Sequence, residues 1–203
     1  MRDGRPTKEK IRHAALALFV ERGADAVSLR DIAEAVGIRP STIYVHWASR
    51  EALVTELFVE GYGAYGARVA AAIADADGFA AKLEAAIRTV CRLESEDHTL
   101  FKFLLLTQHG SLSVIGDGDR NPIDLLGHLI ADAARSGEIS APDPALLTAF
   151  VVGAVVQPAT FRLYGRIDRS LEEMANEIVA TCLSLALGRS AAAVPFPAAH
   201  EHP

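Results

Sequence analysis

The stretch from residue 39 to residue 50 combines basic, hydroxyl and aromatic side chains and contains no acidic residue. Its polar members include Arg39, Ser41, Thr42, Tyr44, His46 and Arg50. Side chains of these types donate hydrogen bonds to phosphate oxygens and to the edges of bases. Because no carboxylate lies among them, nothing in this stretch repels a polyanion. The composition therefore indicates a surface for contact with nucleic acid.

Charge is distributed unevenly along the 203-residue chain, whose formal net charge is -6. Residues 1–50 hold nine Lys and Arg against six Asp and Glu, whereas the remaining residues hold 11 against 20. A basic N-terminal quarter on an acidic body indicates that only the N-terminal part approaches a polyanion.

The sequence lacks the patterns that are typical of catalysis. It contains no phosphate-binding glycine loop, no dinucleotide fingerprint and no readable Ser-His-acid triad. The seven histidines form neither an HxxxH nor an HExxH pair, and Cys91 and Cys182 lie too far apart to indicate a zinc site. We therefore expect that the protein is not an enzyme and has no cofactor and no metal site.

Apolar residues recur every three or four positions along most of the chain, which is typical of α-helices. The pattern predicts N-terminal helices over residues 7–22, with Thr7 as N-cap, over 28–37 and over 40–47. Later helices are expected from a Ser49 cap toward residue 73 and over 78–94, 97–109, 121–137, 145–164 and 170–188, with a polar loop over 110–120. The residue types at the helix starts predict N-caps at Asn121 and Asp143, Pro40 in a first turn, and capping boxes at Ser28 with Asp31 and at Ser170 with Glu173. We predict an all-α fold: an N-terminal three-helix helix-turn-helix domain (1–48), a larger helical ligand-binding and dimerisation domain (49–188) and a flexible tail (189–203).

Residues 28–47, SLRDIAEAVGIRPSTIYVHW, have the features of a helix-turn-helix. Ile32, Ala33 and Val36 give the first helix a buried face, and Gly37 supplies the backbone freedom that a tight turn needs. Ile43 carries the core into the second helix. Residues 7–54, and SLRDIAEAVGIRPSTIYVHWASREALV in particular, closely resemble the N-terminal DNA-binding domain of TetR-family transcriptional regulators.

The resemblance implies which side chains contact DNA. The second helix of the motif would face the major groove, and the residues around it match family positions that contact phosphates or bases. The implied set is Ser28, Arg30, Arg39, Ser41, Thr42, Tyr44, His46 and Arg50. Val45 and Trp47 depart from the family pattern, since the first position is often polar or aromatic and the second is often Phe. We expect Trp47 to belong to the core of the domain.

The last two helices are predicted to form a homodimer interface. Residues 145–156 are apolar nearly all round, and Leu171, Met174, Ile178, Leu183 and Leu187 add a second apolar stripe. The apolar run is shorter than the roughly 20 residues that span a bilayer. We therefore expect a soluble, cytoplasmic protein without membrane contact.

The helices after residue 49 are expected to enclose an apolar pocket for a hydrophobic small molecule. Candidate lining residues mix aromatic and polar groups, as small-molecule sites do. They are Tyr62, Tyr65, Phe101, Leu105, His109, Gln157 and Phe161. In the family such a ligand usually weakens DNA binding, which implies a repressor that binds a palindromic operator as a homodimer and is released by the ligand.

Two alternatives from other classes fit the same residues. The chain could be a helical enzyme or ligand-carrier protein in which the N-terminal motif is only structural. It could also be an architectural DNA binder that has no effector and shows weak sequence preference.

Overall fold

A computed structural model describes residues 5–111 and 121–188, with the side chains of residues 5, 6 and 109–111 excepted. The regular elements within these ranges are all helices, which confirms the all-α prediction. The expected tail at 189–203 and most of the expected loop at 110–120 lie outside the described residues.

The N-terminal part contains three helices that are joined by short connections. They are α1 (Arg5–Arg22), α2 (Leu29–Val36) and α3 (Pro40–Tyr44), with a 3-10 turn at Ala24–Ala26 between the first two. Thr7 lies inside α1, so the expectation that it caps this helix is wrong. The helix α3 is shorter than expected and ends at Tyr44, although Pro40 occupies its first turn as predicted.

The helix α4 (Arg50–Ala74) is the longest described element, with 25 residues. It begins where predicted, because the Ser49 side chain accepts a hydrogen bond from the Ala52 amide at 3.2 Å. Gly61 allows close packing against α6: a Cβ atom at this position would lie 2.7 Å from Leu100 Cδ1. Leu53, Leu57 and other residues of its N-terminal half are buried in the core of the first three helices.

The remaining helices are α5 (Gly78–Glu96), α6 (His98–Ser111), α7 (Pro122–Ser136), α8 (Pro144–Leu163) and α9 (Ala175–Ala186). The Asn121 and Asp143 caps form as the sequence predicts. The helix α9 begins later than expected. Ser170 and Glu173 do exchange the hydrogen bonds of a capping box, but residues 171–174 form turns rather than regular helix.

Two hydrophobic clusters organise the fold. One joins α1, α2 and α3 to the first half of α4 and extends into α5 and α6 through Leu93, Phe103 and Leu104. The rings of Phe19 in α1 and Phe103 in α6 stack with their centroids 6.0 Å apart. The other cluster joins α5, α7, α8 and α9. The N-terminal helices therefore rest directly on α4 and α6.

By length and composition alone, α8 could cross a membrane, because it has 20 residues and a mean hydropathy of 1.6. Its bounds agree with the helix expected over 145–164, and the apolar run at 145–156 forms its first part. Its residues Val151, Val155 and Ala159 are buried in the core formed with α5, α7 and α9. A core helix of a soluble protein passes the same test, so this feature is weak evidence for a membrane span.

We predict that Gly37→Ala lowers the free energy of unfolding by about 1–2 kcal/mol, because Gly37 has φ +72° and a Cβ atom is strained in the left-handed region. No neighbouring atom lies within 4 Å of the added Cβ, so the cost is conformational rather than steric. Urea denaturation measures it. Gly37→Asn is the matched control and should cost less, since Asn tolerates this region better. Equal losses for both variants would contradict the conformational explanation.

Candidate DNA-binding site and ligand cavities

Local hydrogen bonds fix both ends of α2, including the turn that leads into α3. The Ser28 amide donates to Asp31 Oδ2 at 2.7 Å, and the Asp31 amide donates to Ser28 Oγ at 3.3 Å, so the predicted capping box is present. The hydrogen bonds from Ser28 hold the pKa of Asp31 below its ordinary value. At the other end of α2, the amides of Gly37 and Ile38 donate to the Ala33 carbonyl and close the helix.

The side chains of α3 divide sharply between core and surface. Ile43 is fully buried and Trp47, just after the helix, is 2% exposed, whereas Tyr44 and Val45 are 54% and 80% exposed. The burial of Trp47 agrees with the prediction that it is a core residue. Ile43 and Trp47 thus anchor the short helix and leave Tyr44 accessible to a ligand.

The predicted DNA-contact residues occupy the accessible surface around this anchor. Ser28, Arg30, Arg39, Ser41, Tyr44 and His46 are exposed, and Thr42 is half-buried. Arg50 differs from the other cations of the set. Its guanidinium donates to the Asp25 carbonyl at 2.7 Å and pairs with the carboxylates of Asp25 and Glu51 at 3.3 Å and 2.8 Å. Arg50 therefore ties the start of α4 to the turn before α2, which the sequence did not suggest.

An ion-pair cluster joins α1 to α4 beside the buried indole. Lys8 Nζ lies 2.9 Å from Glu56 Oε1, and Arg12 contacts Glu56 at 3.0 Å and Glu60 at 2.5 Å. Lys8 Nζ also lies 5.3 Å from the centroid of the Trp47 ring. We call Lys8, Arg12, Glu56 and Glu60 the α1–α4 clamp. Lys8 and Arg12 share one face of α1, and Glu56 and Glu60 share one face of α4, because each pair is four residues apart.

The clamp changes the acidity of its central carboxylate. Partial burial raises the pKa of Glu56, but the hydrogen bond and charge of Lys8, with smaller effects from Trp47 and Arg12, outweigh burial and hold the pKa below its ordinary value. Glu56 is therefore ionised at neutral pH and pairs with both cations.

An apolar cavity of about 130 Å³ lies between α4, α5, α6, α7 and α8, and we call it the apolar chamber. Tyr62, Tyr65, Phe101 and Leu105 line it, so the structure brings together four of the seven predicted pocket residues. Residues of five helices that were not singled out from the sequence complete the wall. They include Val69, Ile87, Val90, Leu104, Gln108, Ile123, Leu126, Val151, Val152 and Val155.

The other predicted pocket residues lie elsewhere. Gln157 and Phe161 are exposed on the outer face of α8 and do not line the apolar chamber. The side chain of His109 lies outside the described residues. Because α8 is apolar nearly all round, its sequence pattern does not reveal which face turns inward.

Polar atoms at the chamber wall are few. The Tyr65 hydroxyl is buried and has no hydrogen-bond partner among the described residues. Burial raises the pKa of Tyr65, and burial with the nearby charge of Asp124 raises the pKa of Tyr62 to about 12. Both phenols are therefore neutral and can donate hydrogen bonds at physiological pH.

A second cavity of about 270 Å³ is polar and lies between α5, α6, α8 and the segment that follows α8. We call it the polar chamber. Its charged lining residues are Glu94, His98, Lys102, Arg162 and Asp168. Glu94 is only 4% exposed, and its Oε1 atom lies 2.9 Å from His98 Nδ1 and 3.3 Å from Arg162 Nη2.

An exposed, largely apolar stripe runs along the outer face of α8. Its members recur every three or four residues: Leu146, Phe150, Gly153, Gln157, Phe161 and Tyr164. Together with Thr181 and Leu185 of α9, the middle of this stripe lines an open groove. Leu171, Met174 and Ile178, which we expected at an interface, are instead buried in the core of the same chain. We call the stripe and the groove the α8–α9 outer face.

The described residues show no other reactive arrangement. No three His, Cys, Asp or Glu side chains within residues 5–111 and 121–188 converge as metal ligands. Cys91 and Cys182 are free and buried, and burial raises the pKa of both thiols to about 11. Thiols of this acidity are poor nucleophiles at neutral pH.

The capped α2, the glycine turn and the anchored α3 define a helix-turn-helix protein with a helical C-terminal body. The description "Bacterial regulatory proteins, tetR family" matches residues 11–57. This match covers the N-terminal domain and, for that domain, confirms the resemblance seen in the sequence.

Known proteins support this assignment in two ways. The transcriptional repressor KstR2 of Mycobacterium tuberculosis is 49% identical over 43 residues, which make up 21% of this chain and 22% of that protein. The match thus spans about a fifth of the relative's length. Curated relatives of this kind are regulators, so the expectation that the chain is not an enzyme agrees with them.

Solved structures extend the likeness to the whole fold. A tetR-family regulatory protein from Rhodococcus RHA1 has a TM-score of 0.75 and 18% identity, covering 87% of this chain and 95% of that one. The regulator FadR from Bacillus subtilis, solved in complex with stearoyl-CoA, has a TM-score of 0.71 and 21% identity over 87% and 98%. At this identity the likeness establishes the fold.

We predict that Glu56→Gln lowers the free energy of unfolding at pH 7 by about 1 kcal/mol, because Lys8 and Arg12 lose a shared anionic partner. The pKa of Glu56 is lowered in the folded state, so its contribution is present above 4.5 and is lost as the pH falls through the lower folded value. Urea denaturation at pH 7 and below pH 4 should therefore show a difference between wild type and variant that shrinks in acid.

The matched control is Glu34→Gln, which neutralises an exposed carboxylate of α2. It should change stability by less than about 0.5 kcal/mol at either pH. A Glu56→Gln variant as stable as wild type at pH 7 would show that the clamp contributes nothing measurable.

Proposed function

We propose that the protein is a cytoplasmic DNA-binding transcriptional repressor that binds a palindromic operator as a homodimer and is released by a small-molecule ligand. The observation that carries this proposal is the anchoring of α3. Ile43 and Trp47 are buried, while the hydroxyl and basic side chains of Tyr44, His46 and Arg39 remain exposed. Such an arrangement presents phosphate and base donors on a rigid support.

The charge distribution supports DNA contact by this end of the molecule. Arg30 and Arg39 are exposed beside the α2–α3 turn, and residues 39–50 include no carboxylate. The acidic body would be repelled from a duplex and so favours an orientation with the N-terminal helices toward the DNA. In this proposal Ser28, Thr42 and Arg50 complete the contact surface, with Arg50 reaching phosphate from its position between Asp25 and Glu51.

A homodimer explains the α8–α9 outer face. Phe150 is 54% exposed, and Phe161, Tyr164 and Leu185 are also accessible on the same side of the molecule. A contiguous apolar surface of this kind is characteristic of an interface rather than of a free surface. A second copy is the occupant we propose, because a two-fold dimer matches an isologous face and supplies two α3 helices for two half-sites.

Release by a ligand follows from the elements that surround the apolar chamber. Its wall includes Tyr62 and Tyr65 of α4 and Leu104 of α6, and both helices also pack against the N-terminal domain. A ligand that favours one position of α4 or α6 over another would change how the N-terminal domain is held. A protein with a similar fold, FadR from Bacillus subtilis, was solved in complex with a small molecule, stearoyl-CoA.

We predict that the purified protein selects a palindromic sequence from random duplex DNA, with half-sites separated by about 34–36 Å or a multiple of it. The logarithm of its affinity should fall linearly with the logarithm of salt concentration. Tyr44→Phe should weaken operator binding by about fivefold, because it removes a hydroxyl that donates to DNA but leaves the ring in place. Fluorescence-labelled DNA and anisotropy titration measure the affinities.

Ser140→Ala is the matched control, since it also removes an exposed hydroxyl and Ser140 lies between α7 and α8, outside the α8–α9 outer face. It should leave DNA affinity within twofold of wild type. Selection of no sequence by a folded dimer would contradict the proposal. Tight but unselective binding would instead favour an architectural DNA binder, and turnover of a substrate would favour a helical enzyme.

We predict that Phe150→Glu converts the protein from dimer to monomer, because a charge in the apolar face must be desolvated on association. Sedimentation at micromolar concentration measures the change. Leu106→Glu is the control, since Leu106 is an exposed apolar residue of α6 outside the α8–α9 outer face. A wild-type monomer, or a Phe150→Glu variant that remains fully dimeric, would exclude this face as the interface.

A further inference from the structure

We infer that the apolar chamber and the polar chamber together form one binding site for a short- to medium-chain acyl compound whose head group accepts hydrogen bonds. The inference rests on the proposed ligand-responsive function and names the chemistry of the ligand. A carboxylate and the carbonyl of a thioester share the required head-group chemistry.

The two chambers share part of their lining. Phe101 and Leu105 of α6 contact both cavities, and both side chains are half-buried rather than locked in the core. They therefore form a thin partition between an apolar space and a polar one. Because side chains change rotamer far more easily than helices move, a ligand can connect the two spaces without rearranging the fold.

The size of the apolar chamber limits the tail. Its volume of about 130 Å³ is close to that of an engineered protein cavity, about 150 Å³, that binds benzene. It therefore holds roughly six to eight carbon atoms. A longer chain requires the packed side chains of Val151, Val155 and Ile87 to move apart, which costs free energy in a close-packed interior. The tail is thus of short to medium length.

The polar chamber supplies donors for the head group. Both oxygens of Glu94 already accept hydrogen bonds, Oε1 from His98 and Arg162 and Oε2 from the Leu171 amide at 3.3 Å. The Arg162 guanidinium also donates to the carbonyls of Asp168 and Arg169. These contacts preorganise the wall and leave Lys102 as the cation free of ion pairs among the described residues that line this chamber.

The Asp168 carboxylate opposes an anionic head group, since it lines the same chamber as Lys102. It lies after α8, whereas Lys102 projects from α6, so the two charges belong to different walls. These opposite charges give each substitution an expected direction of change in the affinity for an anion. Removing the Lys102 charge weakens binding of an anion, and removing the Asp168 charge strengthens it.

The test is calorimetric titration of the full-length protein, without DNA, with octanoate, octanoyl-CoA, 1-octanol and palmitate. Octanoate and octanoyl-CoA separate a free carboxylate from a thioester. We expect at least one of them to bind about tenfold more tightly than 1-octanol, which cannot accept a charged hydrogen bond as strongly. We also expect octanoate to bind more tightly than palmitate, because the tail of palmitate exceeds the chamber.

Three variants assign the effect to the two chambers. Lys102→Gln should weaken octanoate about tenfold and leave 1-octanol unchanged, whereas Asp168→Asn should strengthen octanoate. Val152→Phe should weaken every eight-carbon probe, since Val152 lines the apolar chamber and is only half-buried. Lys82→Gln, which removes a lysine charge of α5 outside both cavities, is the matched control and should change none of the affinities.

The outcomes separate this inference from the proposed function. Failure of all acyl probes to bind a protein that selects an operator would overturn the inference and leave the regulator standing. Binding of octanoate by a protein that selects no DNA would support the acyl site and reject the regulator. If neither octanoate nor octanoyl-CoA binds more tightly than 1-octanol, the assigned head group is overturned. Equal affinities for octanoate and palmitate would overturn the assigned tail length.

Discussion

The burial of α4 in two different environments is the constraint on which the rest of the molecule depends. Its 25 residues, about 37 Å at the usual helical rise, extend from the core of the N-terminal helices to the wall of the apolar chamber. Leu53 and Leu57 are fixed at one end, and Tyr62 and Tyr65 face the cavity at the other. Because α4 is one continuous helix, a displacement of one of its ends is transmitted to the other end. The α1–α4 clamp adds ion pairs at the end nearest α3.

A second route between the same two regions passes through α6. Leu104 lines the apolar chamber and also belongs to the N-terminal core, while Phe103, its neighbour, stacks on Phe19 of α1. The close approach of Leu100 to Gly61 holds α6 against α4. The polar chamber shares the α6 residues Phe101 and Leu105 with the apolar chamber. One helix therefore borders both chambers and supports the helix-turn-helix.

The sequence predicts those parts of the fold that local chemistry determines. Ser28 with Asp31, Gly37, Asn121 with Pro122 and Asp143 with Pro144 mark helix ends correctly, because each acts within three or four residues. The start of α9 differs, since the Ser170–Glu173 bonds form in a turn that the core holds through Leu171. Gln157 and Phe161 were placed in the pocket because α8 has no polar face to set its rotation. The polar chamber combines residues of α5, α6 and α8, a convergence that tertiary packing alone produces.

The location of Trp47 has an optical consequence. It is the only tryptophan in the chain, and its buried ring lies beside Lys8 at the end of α3. Fluorescence that is excited selectively at the indole band therefore originates from the helix-turn-helix. Neither chamber is lined by a tryptophan, so the chambers do not contribute to this emission. When a molecule that absorbs neither the exciting nor the emitted light enters a chamber, a change in emission reports a change in the surroundings of Trp47 at the end of α3. The molecule thus carries a built-in optical reporter of communication between its two ends.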